Sequence, residues 1–413
     1  MMQGSRPDPE RFRALMWLLL LGVVTVVGAY EVRRGWSFTH WLFSYEHGFS
    51  KRALVGEFWR SWGLPTSLQH FQWAGTCVLA VLVAVLAWAF LAPAWRFGGT
   101  HRGLWHFAAV ALCCPATIAN AAFDLGRFDQ INMLLALGAV GAVAWRNSLL
   151  TAVVLVALMA VSILVHEAAF FMFLPGVLAC WYWFYPSRAT LARVLGAGGL
   201  LSLLMAAVWM RGHMSSLDFQ TYTKLLTERH GAWVNADSVS VLFRNTVGAN
   251  VEFTVRKAVS WRYVRDHIWM LLFLLVPLIV LFRPVWATAR KQLPVSAKAL
   301  LVAAFSGPLL LMAIGHDYFR WWAVALTNAM LTLAVFAWRY GRFRDALSSH
   351  FDSRRRTVWF VLAMFIAVGP LGITRAFERP IYNNGWVRLA QAVAGQSQPT
   401  PAPGATAVAG SSP

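Results

Sequence analysis

Long apolar runs separated by short polar stretches extend over most of the 413-residue chain. A helix that crosses a membrane needs about 20 predominantly apolar residues, with a usual range of roughly 17 to 25. By this criterion the pattern predicts an all-α, polytopic membrane helix bundle with about 11 transmembrane helices. The predicted spans are residues 14–30, 71–91, 104–122, 130–145, 149–165, 168–185, 194–210, 267–282, 299–314, 321–338 and 357–374.

Polar residues are predicted to split two of the longest apolar stretches. Between Arg146 and Arg188 only His166 and Glu167 interrupt the apolar sequence. As a single helix this stretch would measure about 60 Å at 1.5 Å per residue, about twice the hydrocarbon thickness. Two helices that meet at His166 and Glu167 are therefore predicted, and the sequence GHDYFRW divides residues 299–338 in the same way.

The polar segments predict the loops and the domain organisation. Residues 1–390 are predicted to form a single membrane domain with two long outer loops, 31–70 and 211–266. KRALVGEFWRSW in the first loop alternates basic and bulky apolar residues, which favours a helix lying flat at the membrane interface. SSLDFQTYTKLLTERH in the second loop predicts another short helix. Residues 391–413 are rich in Pro, Gly, Ala and Ser and are predicted to be a disordered tail.

The distribution of charge predicts the orientation. The first apolar run, Ala14 to Tyr30, follows several arginines and shows no clear cleavage site, which is typical of a retained signal anchor with a cytoplasmic N-terminus. The short connections alternate accordingly, and their Lys and Arg content favours the cytoplasm. The connections predicted to be cytoplasmic are 92–103, 146–148, 186–193, 283–298 and 339–356. Most of the 17 acidic residues and 11 histidines then fall on the outer side.

Composition agrees with a membrane protein. The chain is 58% hydrophobic and only 13% charged, whereas a soluble domain carries roughly 25% charged residues. The net charge of +19 is scattered over short loops and no nucleic-acid motif is present, so anionic lipid headgroups are the expected partner rather than nucleic acid. The four cysteines lie inside apolar runs without metal-ligand spacing and are interpreted as small buried hydrophobes.

Four charged motifs lie at the predicted outer membrane edges. They are SYEHGFSKR (44–52), FDLGRFDQIN (123–132), LVHEAAF (164–170) and GHDYFRWW (315–322). A charge within a membrane span costs about 2.5–3.5 kcal/mol near the bilayer centre and less toward the interface. Four such motifs on one side predict a shared polar cavity.

The first motif leaves two interpretations of Glu46 open. Glu46 is either an ordinary loop residue paired with Lys51 or Arg52, or a general base whose pKa is raised by partial burial. His47 follows it directly, and Gly48 allows the chain to turn.

The second motif also has two interpretations. Asp124 and Arg127 are spaced to form a salt bridge before the next helix, where Asp129 suits the N-terminus by the helix dipole. Alternatively, Arg127 holds a phosphate while one of the carboxylates serves as base or binds a metal.

The other two motifs repeat this ambiguity. His166 and Glu167 either end two helices at the headgroups or project into the cavity. Asp317 and Arg320 either form an i,i+3 pair, or Arg320 binds a phosphate or pyrophosphate.

The layout and the motifs resemble the GT-C superfamily of membrane glycosyltransferases. GRFDQINMLLAL (126–137) resembles the polar-then-leucine-rich pattern of polyprenyl-phosphate-sugar transferases. YEHGFSKRALVG (45–56) and HEAAFFMFLP (166–175) are similar to segments of bacterial polysaccharide-synthesis membrane proteins, including polymerases. The resemblance covers about residues 15–330. Members commonly carry an aspartate in the first outer loop, often paired with a second acid, whereas this chain has Glu46 followed by His47.

The resemblance implies an enzyme of the bacterial cytoplasmic (inner) membrane whose active site faces outward. It would move a sugar from a polyprenyl phosphate or pyrophosphate donor to a lipid or glycan acceptor, in cell-envelope polysaccharide or glycolipid synthesis. An outer-facing carboxylate deprotonates the acceptor hydroxyl, which attacks the anomeric carbon in line, usually with inversion.

Carried over to this chain, the resemblance implies roles for particular residues. Glu46 is the base, and Asp124 or Asp129 assists it or binds a divalent cation, Mg or Mn. Arg127 and Arg320 neutralise the leaving phosphate. The further substrate-binding candidates are His47, Arg52, His166, Glu167, His316 and Asp317, and of these His166, Glu167 and Asp317 line the acceptor side.

Three other functions are weighed against this one. A polymerase or ligase for a lipid-linked polysaccharide repeat shares the donor class but favours arginines that hold pyrophosphate over a carboxylate base. A transporter or flippase of lipid-linked sugars often has internal repeats and broken helices near the midplane, whereas here the charges lie at one edge and no repeat is found. A purely structural subunit requires fewer charges than four clusters on one face.

Overall fold

The computed structural model is an all-α, polytopic helix bundle, as the apolar pattern predicts. It describes residues 9–30, 35–243, 255, 260–313, 315, 317–372 and 376–377. Among these residues eight helical segments are long and apolar enough to cross a membrane, and two shorter apolar helices accompany them, Leu149–Val165 and Ala169–Phe184. The chain is therefore a multi-pass membrane protein, while the number of eleven crossings stays a prediction. The predicted tail, 391–413, lies outside the described residues.

The helices follow one another with short connections. In chain order they are α1 Pro9–Ala29, α2 Trp36–Thr39, α3 Leu54–Ser61, α4 Leu68–Phe97, α5 Gly103–Cys113, α6 Ile118–Phe123, α7 Phe128–Trp145, α8 Leu149–Val165, α9 Ala169–Met172, α10 Leu174–Phe184, α11 Arg188–Arg211, α12 Phe219–His230, α13 Ala236–Ser240, α14 Trp261–Met270, α15 Val276–Ala289, α16 Val295–Leu309, α17 Tyr318–Arg339, α18 Gly341–Ser353 and α19 Arg355–Val368. Short 3₁₀ turns follow α2 (His40–Leu42) and α16 (Leu310–Ala313), and one π-helical turn, Leu271–Leu275, joins α14 to α15.

Both predicted helix breaks are confirmed. Helix α8 ends at Val165 and α9 begins at Ala169, so that His166 and Glu167 form the connection. The 3₁₀ turn after α16 likewise precedes α17, which begins at Tyr318. The short helices predicted in the two outer loops are present as α3 and α12.

Serine and aspartate residues fix several helix starts. Ser148 precedes α8 in extended conformation, and its hydroxyl accepts a hydrogen bond from the backbone N–H of Thr151 at 3.1 Å. Ser187 caps α11 in the same way, through Thr190 at 3.1 Å. The Asp218 carboxylate caps α12 by accepting from two backbone N–H groups of the first turn. Such caps satisfy N–H groups that have no partner within the helix.

The predicted span 104–122 is interrupted rather than continuous. Helix α5 ends at Cys113 and α6 begins at Ile118, because Pro115 lacks an N–H and cannot continue the helical hydrogen bonds. The Thr117 hydroxyl donates to the carbonyl oxygen of Ala111 at 2.7 Å and so satisfies one carbonyl of the broken helix. A later segment satisfies another, since the Leu371 backbone N–H donates to the Pro115 carbonyl at 2.9 Å.

Helix α18 is a further difference from the sequence analysis, which treated 339–356 only as a connection. It buries Phe343, Leu347 and Phe351 on one face, and its backbone touches α5 at Gly103. Basic residues dominate this end of the bundle. The Arg344 guanidinium, for example, lies 3.8 Å from the centre of the Phe97 ring. We call this the basic end, and the opposite end, where α7 and α17 begin, the site end.

Polar side chains also join helices within the bundle. The Asn328 amide on α17 donates to carbonyl oxygens of Met172 on α9 and Ala304 on α16, at 3.0 and 3.1 Å. The Ser162 hydroxyl on α8 donates to the Asn132 side-chain oxygen on α7 at 3.1 Å. Because lipid tails offer no hydrogen-bond partners, such contacts fix which helices lie side by side.

Candidate functional site

Charged side chains from four chain-distant segments meet at the site end. We call the set made of Arg52, Asp124, Arg127, Asp129, His166, Glu167, Asp317 and Arg320 the charged cluster. It brings together charged residues of three of the four motifs, and Arg52 from the end of the first. The side chain of each of these eight residues is at most 20% exposed.

Arg320 lies at the centre of the cluster, in the first turn of α17. Its guanidinium binds both carboxylate oxygens of Asp129, at the start of α7, and contacts an Asp317 oxygen at 2.9 Å. The Nη2 atom of Arg320 lies 3.4 Å from Nε2 of His166. A bidentate arginine–carboxylate pair is among the stronger and more directional polar contacts in proteins. Arg320 therefore holds α7, α17 and the α8–α9 connection in a fixed arrangement.

Arg127 forms the second centre. Its Nε lies 2.7 Å from a carboxylate oxygen of Asp124, and its Nη1 lies 3.4 Å from Asp317. The predicted Asp124–Arg127 salt bridge is therefore present, although it spans the turn between α6 and α7 rather than a helix. The Trp36 ring lies 4.4 Å from the Arg127 guanidinium, a cation–π contact contributed by the first outer loop.

A glycine makes the turn between Asp124 and Arg127 possible. Gly126 has φ +85°, in the left-handed region, and a Cβ there would lie 2.5 Å from the Phe38 ring. The Trp41 indole N–H donates to the Gly126 carbonyl at 2.7 Å. The first outer loop therefore packs directly on the turn that presents Arg127.

Arg52 brings the first motif into the cluster. Its Nε lies 3.1 and 3.0 Å from the two carboxylate oxygens of Glu167, which also lies 3.4 Å from the His166 ring. Arg52 has φ +64° and is the one residue other than glycine, among those described, with a positive φ. Non-glycine residues in this conformation are uncommon and concentrate at binding and catalytic sites.

The charges of the cluster nearly balance. Four carboxylates, those of Asp124, Asp129, Glu167 and Asp317, face the guanidinium groups of Arg52, Arg127 and Arg320. A cavity of about 30 Å³ borders the cluster, room for about one water molecule. The residues that line it include Asn120, Asp124, Arg127, Asp129 and Gln130.

His40 is a candidate site residue that sequence reasoning missed. It is 4% exposed, its ring packs against those of Trp36 and Phe43 at 4.8 and 5.3 Å, and its Nε2 has no hydrogen-bond partner among the described residues. Burial, together with the nearby Arg52 guanidinium, holds the pKa of His40 well below its usual value. This shift favours the neutral imidazole at His40, beside the cluster. Its one sequence signal is its place beside aromatic residues in WSFTH (36–40), five residues after the predicted first span.

Glu46 does not lie where the shared-pocket hypothesis required. Its carboxylate accepts a hydrogen bond from Arg229 on α12 at 2.8 Å, and its side chain is 36% exposed. That hydrogen bond lowers the pKa of Glu46, so the predicted rise through burial is wrong. The predicted pairing with Lys51 or Arg52 is replaced by the pair with Arg229.

Glu46 lines a second cavity, of about 120 Å³, between the first outer loop and α12. We call it the outer-loop cavity. It is lined by Trp41, Leu42, Ser44, Glu46, His47, Gly56, Trp59, Arg60, Thr66, Tyr222, Leu225, Leu226, Arg229 and His230. No member of the charged cluster is among these residues. Trp41 is the link, because it lines the cavity and also donates to Gly126.

The possible divalent cation stays a prediction. Across the described residues, no group of three or more His, Cys, Asp or Glu side chains is arranged to hold a metal ion. Asp124 and Asp129, the predicted cation ligands, are instead engaged by Arg127 and Arg320. His316, a predicted substrate-binding residue, lies outside the described residues. The four cysteines are free.

Comparison of the chain with protein-family models, with curated proteins and with solved structures gave no match.

Proposed function

We propose that the protein is a membrane glycosyltransferase that moves a sugar from a polyprenyl phosphate or pyrophosphate donor to a lipid or glycan acceptor. The observation that carries the proposal is the buried pair of guanidinium groups, Arg127 and Arg320, bridged by Asp317 at one end of a membrane bundle. A headgroup at this level would present its phosphate to two fixed cations. Guanidinium groups bind phosphate oxygens in the same bidentate way as carboxylates.

A purely structural ion-pair network explains less of this site. Pairing alone would leave every buried polar atom satisfied, yet the buried Nε2 of His40 beside the cluster has no partner in the part of the chain that the structure describes. Arg52 also maintains a sparsely populated backbone conformation to reach Glu167. Unsatisfied groups and strained backbone are features more typical of binding sites than of inert scaffolds.

In the proposed chemistry the charged cluster holds the leaving phosphate, and a carboxylate outside it accepts the proton of the acceptor hydroxyl. The acceptor oxygen forms a bond to the anomeric carbon, while the bond from that carbon to the phosphate oxygen breaks and its electron pair leaves with the phosphate. Arg127 and Arg320 stabilise the charge that develops on the phosphate. The acceptor proton passes to a carboxylate on the opposite side of the sugar from the leaving group, as inversion requires.

Glu46 fits the role of base better than Asp317. Asp317 contacts both guanidinium groups that would hold the leaving phosphate, so it lies on the wrong side for in-line attack. Glu46 lies across Trp41 from the turn that presents Arg127. Its carboxylate is ionised at neutral pH, which is the form that accepts a proton, and the hydrogen bond from Arg229 that lowers its pKa makes it a weaker base than an unpaired glutamate. The outward orientation of this end, in a bacterial inner membrane with a cytoplasmic N-terminus, belongs to the same proposal.

The direct test is turnover of radiolabelled polyprenyl-linked sugars by the purified protein in lipid nanodiscs, with and without a chelator. Transfer should be lost in Arg320→Lys and Arg127→Lys, because lysine cannot reproduce the bidentate fork. Arg265→Lys is the matched control, since Arg265 lies near the start of α14, is 51% exposed and pairs with its sequence neighbour Asp266. Full activity in both cluster variants would refute the proposed site.

A lipid-linked polysaccharide polymerase or ligase is the second candidate, because every carboxylate of the charged cluster is already paired with a guanidinium. Such pairing favours a site that acts through its arginines rather than through a carboxylate base. Glu46→Gln distinguishes the two functions. Loss of turnover in a correctly folded, inserted protein supports the transferase with a carboxylate base, whereas near-normal turnover with inactive arginine variants supports the polymerase or ligase.

A further inference from the structure

We propose that the outer-loop cavity binds one sugar residue of the acceptor, separately from the donor phosphate. That the bound sugar belongs to the acceptor rests on the proposed function, whereas the binding of a sugar is argued from the cavity itself. The cavity lies between the first outer loop and α12, and none of its lining residues belongs to the charged cluster. It is therefore a second site and not an extension of the first.

The ion pair at the cavity offers a hydrogen-bond acceptor and a donor side by side. Arg229 Nη1 donates to Oε2 of Glu46 at 2.8 Å, while Oε1 of Glu46 has no hydrogen-bond partner in the described part of the chain. Neighbouring hydroxyl groups of a sugar each donate and accept one hydrogen bond. A carboxylate beside a guanidinium matches such a pair of hydroxyls, because one group accepts and the other donates.

His47 supplies a second polar contact that nothing in the described protein satisfies. It lines the cavity, and its buried Nε2 atom has no hydrogen-bond partner. The His47 ring is held edge-on against Tyr222 at 5.9 Å, and its backbone carbonyl accepts from the Ser216 hydroxyl at 2.6 Å. A fixed ring in the cavity wall, with a nitrogen that no described residue satisfies, is suited to a ligand hydroxyl.

Aromatic residues provide the apolar part of the wall. Trp59 is held by a hydrogen bond from its indole N–H to the Pro65 carbonyl at 2.9 Å, and its ring packs against Trp41 at 5.9 Å. Tyr222 is almost fully buried on the opposite side, on α12. A sugar ring has an apolar face of C–H groups as well as hydroxyls, so aromatic walls beside a charged pair fit it better than they fit a simple ion.

The dimensions limit the ligand. A volume of about 120 Å³ holds about four water molecules at roughly 30 Å³ each. The cavity therefore encloses part of one sugar residue and leaves the remainder of a glycan in the solvent, next to the exposed Glu46 and Arg229.

Saturation-transfer-difference NMR on the full-length protein in nanodiscs tests the proposal. The probes are the methyl glycosides of glucose, galactose, mannose and N-acetylglucosamine, and no polyprenyl donor is present. We expect saturable binding of at least one of them in the millimolar range. Glu46→Gln removes the carboxylate charge and should weaken binding roughly tenfold, because a neutral amide oxygen accepts a weaker hydrogen bond than a carboxylate.

Two further variants separate the cavity from its surroundings. Leu225→Phe should block binding by filling the cavity while leaving the Glu46–Arg229 pair untouched. Glu228→Gln is the matched control, because Glu228 neighbours Arg229 on α12 but is 66% exposed, pairs with Lys224 and does not line the cavity. It should bind the glycoside as the unmodified protein does.

The outcomes distinguish this proposal from the proposed function. No saturable binding of any glycoside, or equal binding by all three variants, overturns the cavity proposal even if sugar transfer is observed. Binding that depends on Glu46 and Leu225, in a protein that transfers no sugar, supports the cavity and contradicts the transferase.

Discussion

Removing the guanidinium of Arg320, the central cation of the charged cluster, tests how much the cluster stabilises the protein. Arg320→Met keeps a long side chain of similar reach but deletes the guanidinium that binds both oxygens of Asp129 and one of Asp317. The three side chains are 6%, 13% and 20% exposed, so the two carboxylates cannot be rehydrated without opening the site end. We expect the variant to be strongly destabilised.

The magnitude follows from the burial of the partners. Removal of one member of a buried ion pair leaves an uncompensated charge and costs about 3–5 kcal/mol. Asp317 keeps Arg127 at 3.4 Å, so most of this penalty is expected to come from Asp129. The double variant Arg320→Met/Asp129→Asn removes that charge and should recover about 1–3 kcal/mol, because residues in contact have non-additive effects of this size.

The protein contains its own control for the measurement. Asp352 and Arg355, near the basic end, have the same i,i+3 spacing as Asp317 and Arg320 and lie 2.7 Å apart, but their side chains are 39% and 52% exposed. Arg355→Met should therefore cost only about 0–1 kcal/mol. Equilibrium unfolding of each purified variant in a denaturing detergent gives the comparison. If Arg320→Met and Arg355→Met lose the same stability, the cluster is not a buried, charge-compensated unit and the argument is wrong.

Three further predictions concern the neighbouring backbone, the missed histidine and the orientation. Gly126→Ala should destabilise the protein by more than about 1 kcal/mol in the same unfolding assay, because φ is +85° there, whereas Gly141→Ala in the open face of α7 should be neutral or slightly stabilising. Because the pKa of His40 is lowered in the folded protein, the unfolded chain binds more protons than the folded one below about pH 6.5. The free energy of unfolding should therefore fall as the pH drops below that value, by up to about 1.4 kcal/mol per pH unit. His40→Gln should reduce this slope. In cells expressing single-cysteine variants, Ser216→Cys should react with an impermeant maleimide added outside and Ser349→Cys only after permeabilisation, and the opposite pattern would reverse the proposed orientation.

Much of the fold was predictable because membrane crossing constrains the sequence directly. The length of an apolar run limits a helix, and two polar residues in the middle of an overlong run identify its break, as at His166 and Glu167. The break at Pro115 was missed, since a helix prediction based on hydropathy does not register a lost N–H group. Helix α18 was missed because its apolar residues are few and its arginines are typical of a connection.

The candidate site was predictable in its composition but not in all of its geometry. Charged groups at membrane edges are costly, and three motifs on one side do meet in the charged cluster. The position of Glu46 was not predicted by this reasoning. Glu46 follows a membrane span in sequence but pairs with Arg229, a residue 183 positions later on an outer helix. His40 escaped it because a neutral histidine among aromatic residues has no charge to mark it.

The segment after α19 has a consequence for biosynthesis. Leu371 accepts a hydrogen bond from the Asn120 side chain and donates one to Pro115, across 251 positions of sequence in the first case. The Pro115 carbonyl, in the interruption between α5 and α6, therefore receives this hydrogen bond only after all the described helices, which end at Val368, have been synthesised. Ribosome-bound chains that stop short of Leu371 would lack its contacts with Pro115 and Asn120, so we expect the assembly of this region to be one of the last events in the maturation of the protein.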